Sequence, residues 1–125
     1  MVKIVCDSSF LMILASKRIK NISSVETEIG ALEYVVPDMV VKELEGLVHD
    51  DKKKSSAQNA LRITQSFPKI SISGKSVDDA LVLYVEKNGG IVATIDAKLK
   101  TRIKQSGGSV LSVSNDKIIL EPGKL

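Results

Sequence analysis

Acidic residues recur at corresponding corners of this 125-residue chain, and their placement is the first pointer to chemistry. Asp7 closes the apolar run VKIVC at 2–6, and Asp96 closes GIVATI at 90–95. A carboxylate at the end of a short β-branched run lies where parallel α/β sheets hold their ligands. Neighbouring strands are about 4.8 Å apart, so if these two are adjacent their carboxylates face one crevice and can share a cation. Two carboxylates that close repel unless a proton or a metal lies between them, and near neutral pH a divalent metal fits better. SVDDALVLYVEKN at 76–88 adds Asp78 and Asp79 in a first helical turn. In PDMVVKELEGLV at 37–48, Glu43 and Glu45 flank the apolar stripe formed by Val40, Val41, Leu44, Leu47 and Val48. Spacing alone does not choose between the two glutamates.

Each acid also has a purely structural use. Asp7 and Asp96 can cap the helices that follow them, and Ser76 with Asp79 makes a weak capping box in which one acid of the pair suffices. Capping and ligation are compatible, and the number of acids at equivalent corners favours a shared site. After Asp96 comes a basic helix carrying Lys98, Lys100, Arg102 and Lys104. A solvated surface helix explains such a face as well as a nucleic-acid contact does. The KKK at 52–54 is a weaker candidate of the same kind.

The elements that must position these residues alternate. Strands are expected at 2–6, 33–36, 69–73 and 90–95, and in SVLSV and KIILE near the C-terminus. Helices are expected after Asp7, at 39–48, 54–66, 77–88 and 97–106. Asn88, Gly89 and Gly90 stop one helix, and Gly107 and Gly108 another. This order implies an α/β fold, a three-layer α/β/α sandwich around a mostly parallel central sheet. The length suits one domain over 1–125, with EPGKL as a short tail.

Composition narrows the function. Phe10, Tyr34, Phe67 and Tyr84 are the whole aromatic complement, which argues against a platform of stacked bases. The net charge of +3 hides local basic clusters around 17–20, 52–54 and 98–104. The lone Cys6, inside an apolar run, offers no disulfide or thiolate framework and fits a reducing cytoplasm. No stretch reaches the roughly 18 apolar residues of a membrane span. The only histidine, His49, stands beside a polar loop and reads as a solvated residue.

Together the motifs resemble those of the PIN domain, a family of metal-dependent ribonucleases. IVCDSSFLM is similar to the opening strand with its first acid, Asp7; VPDMVVKELEGL resembles the second motif, with Glu43 as its acid. SVDDALVLYV resembles the third, with Asp79 preferred and Asp78 in support, and IVATIDAKLKTRI the fourth, with Asp96. VVKELEGL and ATIDAKLKTRI look more like archaeal and pre-ribosomal RNA processing endonucleases than VapC-type toxins. There are two departures: Ser8 and Ser9 stand where Asn or Thr is frequent, and Lys98 where a further acid is frequent. A serine hydroxyl can still bond a carboxylate, whereas Lys98 removes one potential ligand.

The resemblance implies a metal-dependent endoribonuclease in which Asp7, Glu43, Asp79 and Asp96 hold Mg2+ or Mn2+, with Ser9 as support. It implies single-stranded or ribosomal precursor RNA as the partner, met by Lys98, Lys100, Arg102 and Lys104. Alternatives are a VapC-type toxin with an antitoxin partner, and a non-cleaving module that binds RNA or protein; a homodimer is common in the family. A receiver-like signalling domain is disfavoured, because the first strand ends in Asp7 alone and SVLSVSND lacks the lysine such a pocket needs.

Overall fold

A computed structural model describes residues 1–123. Lys124 and Leu125, the end of the expected EPGKL tail, lie outside the described residues. In chain order the elements are β1 (Val2–Cys6), α1 (Ser8–Ser16), α2 (Ile22–Ile29), β2 (Leu32–Pro37), α3 (Asp38–Leu47) and α4 (Lys54–Thr64). They continue with β3 (Lys69–Ile70), α5 (Val77–Asn88), β4 (Ile91–Ala93), α6 (Ala97–Gln105), β5 (Ser109–Ser114) and β6 (Lys117–Glu121).

The strands form one sheet in the order β3-β2-β1-β4-β5-β6, parallel throughout except for the antiparallel β5–β6 hairpin. Its turn places Asn115 and Asp116 at φ 50° and 66°, left-handed values that these two residue types tolerate better than most. Because successive side chains alternate across a strand, each central strand feeds two cores. Ile4, Cys6, Val36, Ala93 and Leu111 face one side and pack with Phe10, Leu11, Val40, Leu44 and Ala60 of α1, α3 and α4. Val5, Val35, Val92 and Val110 face the other and pack with Leu81, Val85, Leu99 and Ile103 of α5 and α6. Both faces are therefore covered, and the chain is the three-layer sandwich the alternation implied.

Three local expectations change. KISIS contributes only Lys69 and Ile70 to the sheet, since this edge strand pairs with Val36 and Pro37 alone. The strand expected through Ile95 stops at Ala93, and Thr94 and Ile95 form the loop that delivers Asp96 to the head of α6. Helix α2 was not expected at all. It is seated by Asn21, whose side-chain amide donates to the Ile118 carbonyl (2.9 Å) and whose oxygen accepts from the Ile118 N–H (2.7 Å). Among the described residues no helix is long and apolar enough to cross a membrane.

One glycine is needed for placement of the site. At Gly74 a Cβ would lie 2.7 Å from the backbone nitrogen of Ala80, so only glycine lets the preceding loop run against the first turn of α5.

Candidate active site

The sheet order reverses between β1 and β4, the position at which doubly wound sheets open a crevice beyond their strand ends. Cys6 is in register with Ala93, and the Asp7 N–H donates to the Ala93 carbonyl at 2.9 Å. The adjacency inferred from Asp7 and Asp96 is thus present, and Asp7 stands at its floor, only 5% exposed.

Asp7 is held from three sides. Its Oδ1 accepts the Ser8 N–H at 2.7 Å, which also caps α1, while Oδ2 accepts the Ser9 hydroxyl at 2.9 Å and the Thr94 hydroxyl at 2.8 Å. A carboxylate offers about four lone-pair directions, so roughly one remains for a ligand. Ser9 Oγ lies 3.2 Å from Thr94 Oγ1 and accepts the Ile95 N–H, also at 3.2 Å. Thr94 Oγ1 in turn accepts the Asp96 N–H at 3.1 Å. A single hydroxyl network therefore fixes both the buried acid and the backbone of the exposed one.

Asp96 caps α6 through a 3.1 Å bond from the Leu99 N–H to its Oδ1. Glu43, on α3, is exposed, but its Oε1 accepts the hydroxyl of Ser8, which ties it to the same corner. That contact resolves the choice left open by spacing: Glu43 joins the crevice, and Glu45 is exposed elsewhere on the helix. The two serines at the departure from the family pattern thus bond carboxylates, Ser8 to Glu43 and Ser9 to Asp7.

The third motif differs from expectation. Consecutive helical residues point about 100° apart, so only one of Asp78 and Asp79 can face the crevice. The structure turns Asp78 inward and Asp79 away. Burial first, then the charges of Asp7, Asp96 and Glu43, push the Asp78 carboxyl above its ordinary range, against a smaller opposing effect of Arg102. Asp79 instead binds the Arg102 guanidinium at 2.8 Å, and that hydrogen bond draws its pKa down. Its backbone N–H is taken by the Ser76 cap at 3.1 Å.

The basic helix also differs. Lys100 and Lys104 converge on Glu121 of β6, at 3.3 and 2.5 Å, and Ser112 donates to the same carboxylate at 2.7 Å. The Lys104 bond first, followed by Ser112 and Lys100, lowers the Glu121 pKa to about 2. With Arg102 on Asp79, three of the four cations expected to face RNA are engaged within the fold, and Lys98 is the exposed one without an ion pair among the described residues. Leu99 and Ile103 point into the core as their spacing implied. His49 is exposed and Cys6 fully buried, its thiol pushed upward by burial and by Asp7.

Asp7, Asp78 and Asp96 each stand at a helix N-terminus, whose partial positive charge offsets some of their mutual repulsion. Among the described residues no three acidic, imidazole or thiol side chains close in as tightly as direct chelation of one ion demands. Asp7, Glu43, Asp78 and Asp96 supply only hard oxygen donors, and a cation would offset both the burial of the Asp78 carboxylate and its repulsion by the other three. This donor set fits Mg2+ or Mn2+ held by one or two carboxylates, the rest acting through water.

Sequence reasoning overlooked Thr94 and Glu121. The signal for Thr94 was a hydroxyl two positions before Asp96, but a threonine inside VATI reads as ordinary strand material. Glu121 carried no local signal, because its partners are brought to it only by the β5–β6 hairpin.

Residues 4–115 match a family model described as "PIN like domain". No curated protein matches the chain. Among solved structures, the PIN domain endonuclease Utp24 is 29% identical with a TM-score of 0.74, over 96% of this chain and 91% of that one. PAE2754 from Pyrobaculum aerophilum shares the fold at 16% identity and a TM-score of 0.55, over 90% of this chain and 84% of that one.

Proposed function

Because the chain belongs to the PIN-like domain family, we propose that residues 1–125 are one domain acting as a metal-dependent endoribonuclease that hydrolyses RNA phosphodiester bonds. The observation that carries this reading is the β1–β4 crevice itself, where Ser8, Ser9 and Thr94 tie the carboxylates of Asp7 and Glu43 and the backbone of Asp96 into one hydrogen-bonded corner. The 29% match to a PIN domain endonuclease supports it.

In this reading Asp7, Asp78 and Asp96, with Glu43, hold Mg2+ or Mn2+. When bound, the ion supplies Lewis acidity, neutralising charge on the phosphate and making water a better nucleophile. The chain's own contribution is preorganisation. Ser8, Ser9 and Thr94 hold Asp7 in one orientation before substrate arrives, so little reorganisation is left to the reaction. Ser8 does the same for Glu43. Asp96, exposed at the rim, meets the incoming strand, and the exposed ammonium of Lys98 two residues on engages a phosphate. The likeness of VVKELEGL and ATIDAKLKTRI to pre-ribosomal processing endonucleases favours a ribosomal precursor RNA over a toxin's target.

Lys98, in place of an acid, favours a second reading, a module that binds RNA without cutting it. Cleavage of single-stranded RNA with Mn2+, compared between wild type, Asp7→Asn and Asp96→Asn, decides between them. Loss of cleavage in both variants supports the nuclease. Equal rates in all three proteins mark the activity as contamination, and Mn2+ titration without carboxylate-dependent binding favours the module.

A further inference from the structure

The acids of the crevice repel RNA, and three of the four cations on α6 are already neutralised by Asp79 and Glu121. With Lys98 alone of the four left without an ion pair among the described residues, an RNA-binding surface must draw further positive charge from elsewhere. Directly beside the acids, a cleft of about 260 Å3 opens between α1 and the turn joining α3 to α4. Ser9 and Ile95, both part of the hydroxyl network around Asp7, form its inner wall, and Met12 and Ile13 form its floor. Lys52 and Lys53 form its outer rim. Both lysines are exposed, and neither makes an ion pair among the described residues. The Asp50 carboxylate beside them accepts the Lys52 N–H at 2.9 Å. Ile95 is 37% exposed, one of four large apolar side chains left in solvent among the described residues.

We infer that this cleft is a nucleotide subsite of the RNA strand: one base packs on Met12, Ile13 and Ile95, and Lys52 and Lys53 bind the adjoining phosphates. This rests on the ribonuclease reading and extends it by assigning the path of the strand away from the acids. The cleft is smaller than the roughly 300–1,000 Å3 of a drug-sized ligand pocket, which suits a single base. Its continuity with the crevice through Ser9 and Ile95 gives a strand lying across Asp96 a direct route into it. An aliphatic floor accepts any base by its apolar face, so the subsite contributes affinity with little sequence preference. The basic rim supplies the charge complementarity that α6 lacks.

The test is binding of a short fluorescein-labelled single-stranded RNA, followed by anisotropy in EDTA between 50 and 200 mM salt, where cleavage does not interfere. Each phosphate contact on a single strand contributes about 0.7 to the salt slope. Lys52→Ala with Lys53→Ala should weaken binding and flatten the slope by about 1.4. Ile95→Ala should weaken binding several-fold at unchanged slope. The control is Lys3→Ala with Lys87→Ala, two exposed lysines near the start of β1 and the end of α5, at the opposite end of the sheet from the crevice, and it should leave the slope near that of wild type. A wild-type slope in the Lys52/Lys53 variant, an equal fall in the control, or no RNA binding by wild type overturns the subsite. Cleavage with Mn2+ is assayed in parallel. A flattened slope in a protein that never cuts RNA overturns the nuclease and leaves the cleft as an RNA-binding site.

Discussion

Thr94 Oγ1 donates a 2.8 Å hydrogen bond to Oδ2 of Asp7 across 87 positions of sequence, and the same oxygen accepts the Asp96 N–H at 3.1 Å. One buried hydroxyl thereby sets the orientation of one acid and the backbone position of another. Groups that orient metal ligands without touching the metal typically affect affinity or activity 10–100-fold. Thr94→Val, which keeps the shape and removes the hydroxyl, should weaken Mn2+ binding by about that factor in calorimetry. Thr94→Ser should recover most of it. Unchanged affinity in the valine variant would show that Asp7 is held adequately by Ser8 and Ser9 alone.

The division of labour between Asp78 and Asp79 is sharp enough to test by exchange. Asp78 is under pressure from burial and the other acids, whereas Asp79 is satisfied by Arg102. Asp78→Asn should lower the cleavage rate by about 10–100-fold, the scale of losing a group that sets metal affinity. Asp79→Asn should change it by less than about threefold, since it loses only an exposed ion pair. Single-turnover cleavage at Mn2+ concentrations that half-saturate the wild type measures both, and a reversed ranking would return the third motif to Asp79.

Glu121 makes a prediction about pH. Its pKa falls from an ordinary 4.5 to about 2 in the fold, through Lys104, Ser112 and Lys100. A depressed carboxylate pKa means the folded state binds the proton less well than the unfolded one. The stabilisation is therefore complete above about pH 4.5 and is lost as pH falls toward 2. Glu121→Gln should cost about 1–2 kcal/mol at pH 7 in urea unfolding. The gap between wild type and variant should narrow at pH 3.5. A gap that is constant across this range would mean the carboxylate's charge contributes nothing.

Much of this architecture was legible before the structure. The run from VKIVC into Asp7 and from GIVATI toward Asp96 carried the β1–β4 adjacency, because strand ends and helix starts leave local signals. The limit lay where meaning depends on direction. DD at 78–79 names two acids but not which one a helix turns inward. The lysines of α6 looked available because Glu121, 17 residues after Lys104, is brought to them only by the hairpin. ISSVETEI spaces its apolar residues helically at Ile22, Val25 and Ile29, but it is short and mostly polar, and Asn21 seats it through Ile118, a contact 97 positions away.

The reversal of strand order between β1 and β4 has a consequence for when the crevice can exist. Asp7, Ser8, Ser9 and Glu43 come from the half of the chain that builds β1, β2 and β3, while Asp78, Thr94 and Asp96 come from the half that builds β4, β5 and β6. Neither half owns the site. A nascent or partly unfolded chain holds half the carboxylates and lacks either Thr94 or its partner Asp7. Whatever reaction these groups perform is thereby withheld until both halves have docked, and the topology itself acts as the safeguard against premature activity.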